Sequence, residues 1–143
     1  MRSYKLWRWL VLIPLIAMLL YMLFPAVGSG LVYSKKTAAK TDVVMIKSAI
    51  LAHGAEYNTP LPATHAEIMK VLLGDNPRKI TFLDVGEYRK GKGGLRNGIF
   101  LDPWGTAYVI DASDLAHPKV YSPGPDKKAA PDDPQSDDIQ SWK

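Results

Sequence analysis

The sequence contains no cysteine, and this absence excludes a disulfide framework, a thiolate nucleophile and a sulfur-based zinc site. Histidine is nearly as scarce, with three residues in the whole chain. Gly-x-Ser-x-Gly and His-Glu-x-x-His motifs are both missing, which removes the common serine-hydrolase and zinc-protease arrangements. The sequence therefore predicts a protein that is not an enzyme and has no small-molecule substrate.

Charge is absent between Trp9 and Ser34, a stretch longer than the ~20 residues that cross a bilayer. Basic residues flank it on both sides, and they account for most of the net charge of +4 without a nucleic-acid partner. The pattern predicts a basic N-terminal segment at 1–8 and a transmembrane segment at 9–34. The alternative is a cleaved signal peptide with its apolar region at 10–24.

Beyond this stretch the apolar positions follow a helical period. They recur at steps of three and four, at Ala39, Val43, Ile46, Ile50 and His53. This stripe predicts an amphipathic continuation of the same helix over 35–58, with His53 buried rather than bound to a metal.

The remainder, 59–143, mixes a short helix with short β-rich runs. Thr64 and Glu67 form a capping box before an apolar face, and Gly74 follows as a stop signal. Four runs have strand composition, at 79–85, 98–102, 106–111 and 119–122. The predicted fold class is α+β: a long N-terminal helix, half membrane-spanning and half amphipathic, packed on a small antiparallel β-sheet.

An acidic, proline-rich segment follows the strands and contains Asp126, Asp132, Asp133, Asp137 and Asp138. Calcium takes about six to eight oxygen ligands from carboxylates and backbone carbonyls on irregular loops. The spacing is not that of an EF-hand, and a solvated acidic tail is the alternative interpretation. A tryptophan at position 142, however, is not typical of a disordered tail and favours an ordered C-terminal segment.

Two motifs give the chain a resemblance to a known family. The first is Asp-Pro-Trp-Gly before a strand, formed by Asp102, Pro103, Trp104 and Gly105. The second begins as Tyr-Ser-x-Gly-x-Asp at Tyr121, continues through the acidic stretch, and ends as Asp-Ile-x-x-Trp at Trp142. Together with the helical segments, this pattern resembles the major pseudopilin of type II secretion systems, a type IV pilin-like family.

The resemblance implies a pilin-like fold and a calcium site in the loop 122–139. Asp126 and Asp138 match the family's ligands best, and Asp137 or Asp133 stands for a third carboxylate. It also implies a structural subunit or accessory of a type II secretion or type IV pilus-like apparatus. The expected partners are other pseudopilins or secretion proteins, the membrane, and copies of the chain itself. The expected location is the inner membrane, single-pass, with the globular domain on the periplasmic side.

The N-terminus departs from the family pattern. No acidic residue precedes Asp42, and alignment on Pro25 places Arg8 where the family has a glutamate that pairs with a neighbouring subunit. An arginine there would repel the neighbour's terminal amine. This difference favours the alternative function, a membrane-anchored or secreted calcium-stabilised binding module that does not polymerise.

Overall fold

The computed structural model describes residues 3–142, apart from the side chains of 3–7 and 22–29. The chain divides into two compact units with the boundary between Ser34 and Lys35. Helix α1 has the bounds Ser3–Tyr57. In the first unit, the described side chains at 8–21 and 30–34 are all exposed, although most of them are apolar.

Within the described residues, no helix combines the length and the apolar composition needed to span a membrane. Between 30 and 57, α1 carries six charged residues: Lys35, Lys36, Lys40, Asp42, Lys47 and Glu56. The predicted transmembrane segment at 9–34, the membrane-spanning half of the helix and the single-pass inner-membrane location are therefore wrong. Most of the predicted basic segment 1–8 lies outside the described side chains.

In the second unit, one face of α1 forms the base of the core. The five residues of its apolar stripe are all buried, and His53 is 4% exposed. The ring of His53 lies 4.9 Å from that of Tyr57 and 5.6 Å from that of Phe82, measured between centroids. Burial lowers the pKa of His53.

Helix α2 spans His65–Leu72 and begins as its capping box predicts. The Glu67 amide donates to Thr64 Oγ1 at 3.4 Å, and the hydroxyl donates to the Glu67 carboxylate at 2.6 Å. Ile68, Met69 and Leu72 enter the core. His65 joins α2 to the strands because its Nε2 accepts the Phe100 amide at 3.1 Å.

The strands form two small antiparallel sheets rather than the single sheet that was predicted. β1 (Gly94–Arg96) pairs with β2 (Ile99–Leu101). β4 (Lys119–Ser122) lies between β3 (Val109–Asp111) and β5 (Ile139–Gln140). The fold is thus a small α+β arrangement with two sheets and no long apolar helix among the described residues.

The run at 79–85 is not a strand, contrary to its composition. The amides of Phe82 and Leu83 both donate to the carbonyl of Leu72, at 2.9 and 3.0 Å. These bonds attach the segment to the end of α2, where its apolar side chains still reach the core. The strand-like composition of this run therefore reflects burial of its apolar side chains beside α2, not pairing within a sheet.

Candidate cation site and its supporting turn

The Asp-Pro-Trp-Gly motif forms a tight turn after β2. The Gly105 amide donates to the Asp102 carbonyl at 2.9 Å, and Gly105 has a φ of +85°, a conformation that favours glycine. Asp102 is fully buried. Its Oδ1 accepts the amides of Trp104 at 3.0 Å and Thr106 at 2.8 Å, so its side chain holds the turn that its backbone begins.

The second oxygen of Asp102 connects this turn to the acidic loop. Ser122 Oγ donates to Asp102 Oδ2 at 2.6 Å, and it accepts the Gly124 amide at 3.1 Å. Asp102 and Ser122 each have 0% exposure. The two sequence motifs, far apart in the chain, therefore meet through one buried carboxylate.

The C-terminal segment returns to the domain instead of trailing into solvent. β5 pairs with β4 in the register Tyr121↔Gln140 and Ser122↔Ile139. The Ser141 amide donates to the Val120 carbonyl at 2.9 Å. The ring of Trp142, 41% exposed, meets that of Tyr121 edge to face at 6.0 Å. Residues 122–139 thus form a loop that is closed at its base by two paired strands.

Two of the predicted ligands face solvent. Asp126 is exposed, and its Oδ1 accepts the Lys128 amide at 2.8 Å. Asp133 is exposed as well, and its Oδ1 accepts the Gln135 amide at 2.9 Å. Each carboxylate therefore caps a local turn of its own.

The other two predicted ligands lie at the base of the loop, with oxygens that have no hydrogen-bond partner. Asp138 Oδ2 accepts the Ala130 amide at 2.9 Å, but its Oδ1 is buried and unpartnered. Asp137 Oδ1 is also buried and unpartnered. Two neighbouring side chains share this condition, Ser136 through Oγ and Gln140 through Oε1.

These four atoms are all oxygens, and all come from residues 136–140. In the part of the chain that the structure describes, only one further buried side-chain atom, Nδ1 of His53, is without a partner. Hard cations such as Ca²⁺ are bound by oxygens of this kind. The donor set therefore fits calcium chemically, although among the described residues no three His, Cys, Asp or Glu side chains are grouped for a metal.

Sequence reasoning missed Ser136 and Gln140 because it counted only carboxylates. Neutral oxygens can also bind calcium, more weakly than carboxylates do, and both residues lie in the same acidic segment. Negative charge also affects the adjacent Tyr121. Its pKa is raised, first by burial and then by the carboxylates of Asp138 and Asp132.

A separate polar contact fastens the sheet region to α1. Tyr108 Oη donates to Asp42 Oδ2 at 2.7 Å. Burial raises the pKa of Asp42, the Tyr108 bond opposes that change, and the Asp102 carboxylate adds to it. Asp42 also lines a cavity of about 290 Å³, together with Asp84, Glu87, Arg89 and Lys92. Carboxylates and cations are mixed there, so the cavity favours no single class of ligand.

Models of known protein families, characterised proteins and solved structures give no match to this chain. The family resemblance carried by the two motifs therefore has no independent support from relatives, and the same holds for secretion and calcium binding.

Proposed function

We propose that this chain is a structural, pseudopilin-like subunit or accessory of a type II secretion or type IV pilus-like apparatus, with a loop at 122–139 that binds Ca²⁺. The observation that supports it best is the group of four buried, unpartnered oxygens at 136–140. In this proposal the role is structural and involves no catalysis.

The energetic argument concerns those oxygens. A buried acceptor without a partner costs about 1–3 kcal/mol, and more when it is charged. Asp137 and Asp138 each have one such oxygen, and they are adjacent in sequence. A divalent cation that contacts both oxygens would satisfy them and would offset the repulsion between the two charges, which is about 1 kcal/mol at 4 Å even in water. Asp137 and Asp138 are therefore the main proposed ligands, with Ser136 and Gln140 beside them.

The assembly part of the proposal is supported by the surface of α1. The described side chains of the first unit include exposed Trp9, Leu10, Leu19, Tyr21 and Leu31, each at least 59% accessible. Exposed apolar surface of this extent marks a site of interaction with other proteins or with lipid. Other subunits, including copies of this chain, are the proposed partners.

Calcium is expected to raise the melting temperature of the full-length chain. Binding to the folded loop alone adds about 2.7 kcal/mol at a hundredfold excess over Kd. For a domain of this size that corresponds to roughly 10 °C. Asp137→Asn and Asp138→Asn should each abolish most of this increase, measured by differential scanning fluorimetry with calcium and with chelator.

Asp132→Asn is the matched control because it removes the same charge from the same loop. Asp132 is exposed and has no buried, unpartnered oxygen. This variant should keep the calcium response of the natural sequence. Equal melting temperatures with calcium and with chelator for the natural sequence would contradict the calcium site.

Cross-linking can separate a polymerising subunit from a binding module. The chain lacks cysteine, so introduced cysteines report unambiguously. Head-to-tail assembly joins two different surfaces. Pairs of cysteines are introduced at exposed positions such as Ser48 and Ser113. If the chain assembles head to tail, some pairs should give a ladder of disulfide-linked oligomers. A variant with one of the two cysteines can form no product larger than a dimer, because each chain then has a single thiol. Monomers throughout the scan would favour the non-polymerising module.

A further inference from the structure

The buried pair Asp102 and Ser122 occupies the junction between the turn and the acidic loop. Neither side chain touches solvent, and neither belongs to the group of unpartnered oxygens. Their hydrogen bond, 2.6 Å from Ser122 Oγ to Asp102 Oδ2, is short. Short bonds to a carboxylate are the strong ones, and this bond fixes the hydroxyl in one orientation.

The orientation of the Ser122 hydroxyl determines which loop group it can bind. A serine hydroxyl has a single proton and two lone pairs. Asp102 takes the proton, because the carboxylate acts only as an acceptor here, with two backbone amides already on Oδ1. A lone pair of Ser122 Oγ is thereby directed at the Gly124 amide, 3.1 Å away.

Gly124 in turn lies directly against Asp137. A Cβ built on Gly124 would be 2.6 Å from the Asp137 carbonyl oxygen and 3.1 Å from its Oδ1. The glycine also has a φ of +74°, so both its conformation and the space around it require glycine. The place of Gly124 therefore limits where the Asp137 carboxylate and carbonyl can lie.

We propose that Asp102 and Ser122 are positioning residues that set the affinity of the loop for its cation. This inference rests on the proposed calcium site and adds two residues that do not touch the ion. Asp102 orients Ser122, Ser122 holds Gly124, and Gly124 supports Asp137. Loss of such an indirect partner lowers metal affinity by about 10–100-fold.

The test measures Ca²⁺ affinity directly in the full-length chain. Ser122→Ala removes the link to Gly124, and Asp102→Asn keeps the side-chain volume but turns an acceptor into a donor facing Ser122. Ser113→Ala is the matched control, since Ser113 Oγ also donates to an aspartate at 2.6 Å, but on the exposed surface. Affinity is read by titration calorimetry and by terbium luminescence excited through Tyr121 and Trp142.

Both variants are expected to bind calcium about 10–100-fold more weakly, while Ser113→Ala binds as the natural sequence does. Circular dichroism at low temperature identifies the conditions in which each variant is folded before titration. A purely structural role would lower the melting temperature but leave the affinity of the folded protein unchanged, and that result would overturn the proposal. If the natural sequence itself binds no calcium, the proposed calcium site fails instead.

Discussion

Replacing Gly94 with alanine is expected to lower the free energy of unfolding by about 2–5 kcal/mol. Gly94 has a φ of +130°, a region that side chains strongly disfavour, and the strain alone costs about 1–3 kcal/mol. A Cβ there would also lie 2.6 Å from the Glu87 carbonyl oxygen and 2.7 Å from the Tyr88 Cα. These are backbone atoms, so they cannot move aside as a flexible side chain would.

The neighbouring backbone is held by its own hydrogen bonds, which explains why the strain cannot relax. The Tyr88 amide donates to the Leu95 carbonyl, and the Leu95 amide donates to the Gly86 carbonyl, each at 2.9 Å. Gly86→Ala is the matched control, because a Cβ at Gly86 meets no atom within 4 Å. Chemical denaturation should separate the two variants clearly, and an equal effect of both would contradict the steric argument.

The second large effect concerns His65. Replacing it with alanine leaves the Phe100 amide without its acceptor, and an unsatisfied buried amide costs about 1–3 kcal/mol. Urea denaturation at pH 8 should show the loss. His117→Ala is the control, since His117 is exposed and contacts Asp114 on the surface.

The same histidine makes stability depend on pH. Burial lowers the pKa of His65, and a hydrogen bond with the Tyr108 backbone opposes this only in part. The folded state therefore takes up a proton less readily than the unfolded chain, whose histidines titrate near pH 6.5. Stability should be complete above that value and fall as the pH drops below it. His65→Ala should show a shallower decline, to which His53 still contributes because burial lowers its pKa as well. An unchanged decline would contradict this role of His65.

The parts of the fold that could be predicted depend on local chemistry. The Thr64–Glu67 capping box sets the start of α2, and the apolar period of α1 identifies its buried face. Both signals act within one or two helical turns, so the sequence alone carries them. The Asp102–Gly105 turn belongs to the same class, because its side-chain and backbone bonds span four residues at most.

Other features of the structure depend on more than local sequence, and the sequence did not predict them. Residues 79–85 have strand composition, but their amides bond to the end of α2. The membrane prediction rested on the absence of charge at 9–34, which is not matched by a sufficiently apolar helix in the described residues. At the loop, composition indicates oxygen ligands, but it does not say which carboxylates hold a buried oxygen without a partner, as Asp137 does.

The pairing of β5 with β4 also orders events during synthesis. The residues of β3 and β4 are translated before the loop, and those of β5 are translated only after every aspartate of the loop. Lys47, far earlier in the chain, then donates through Nζ to the Ser141 carbonyl at 3.3 Å. A nascent chain that has not been translated through residue 141 lacks both β5, the third strand of this sheet, and the hydrogen bond from Lys47. The closed loop is therefore a mark of a chain that has been translated through residue 141.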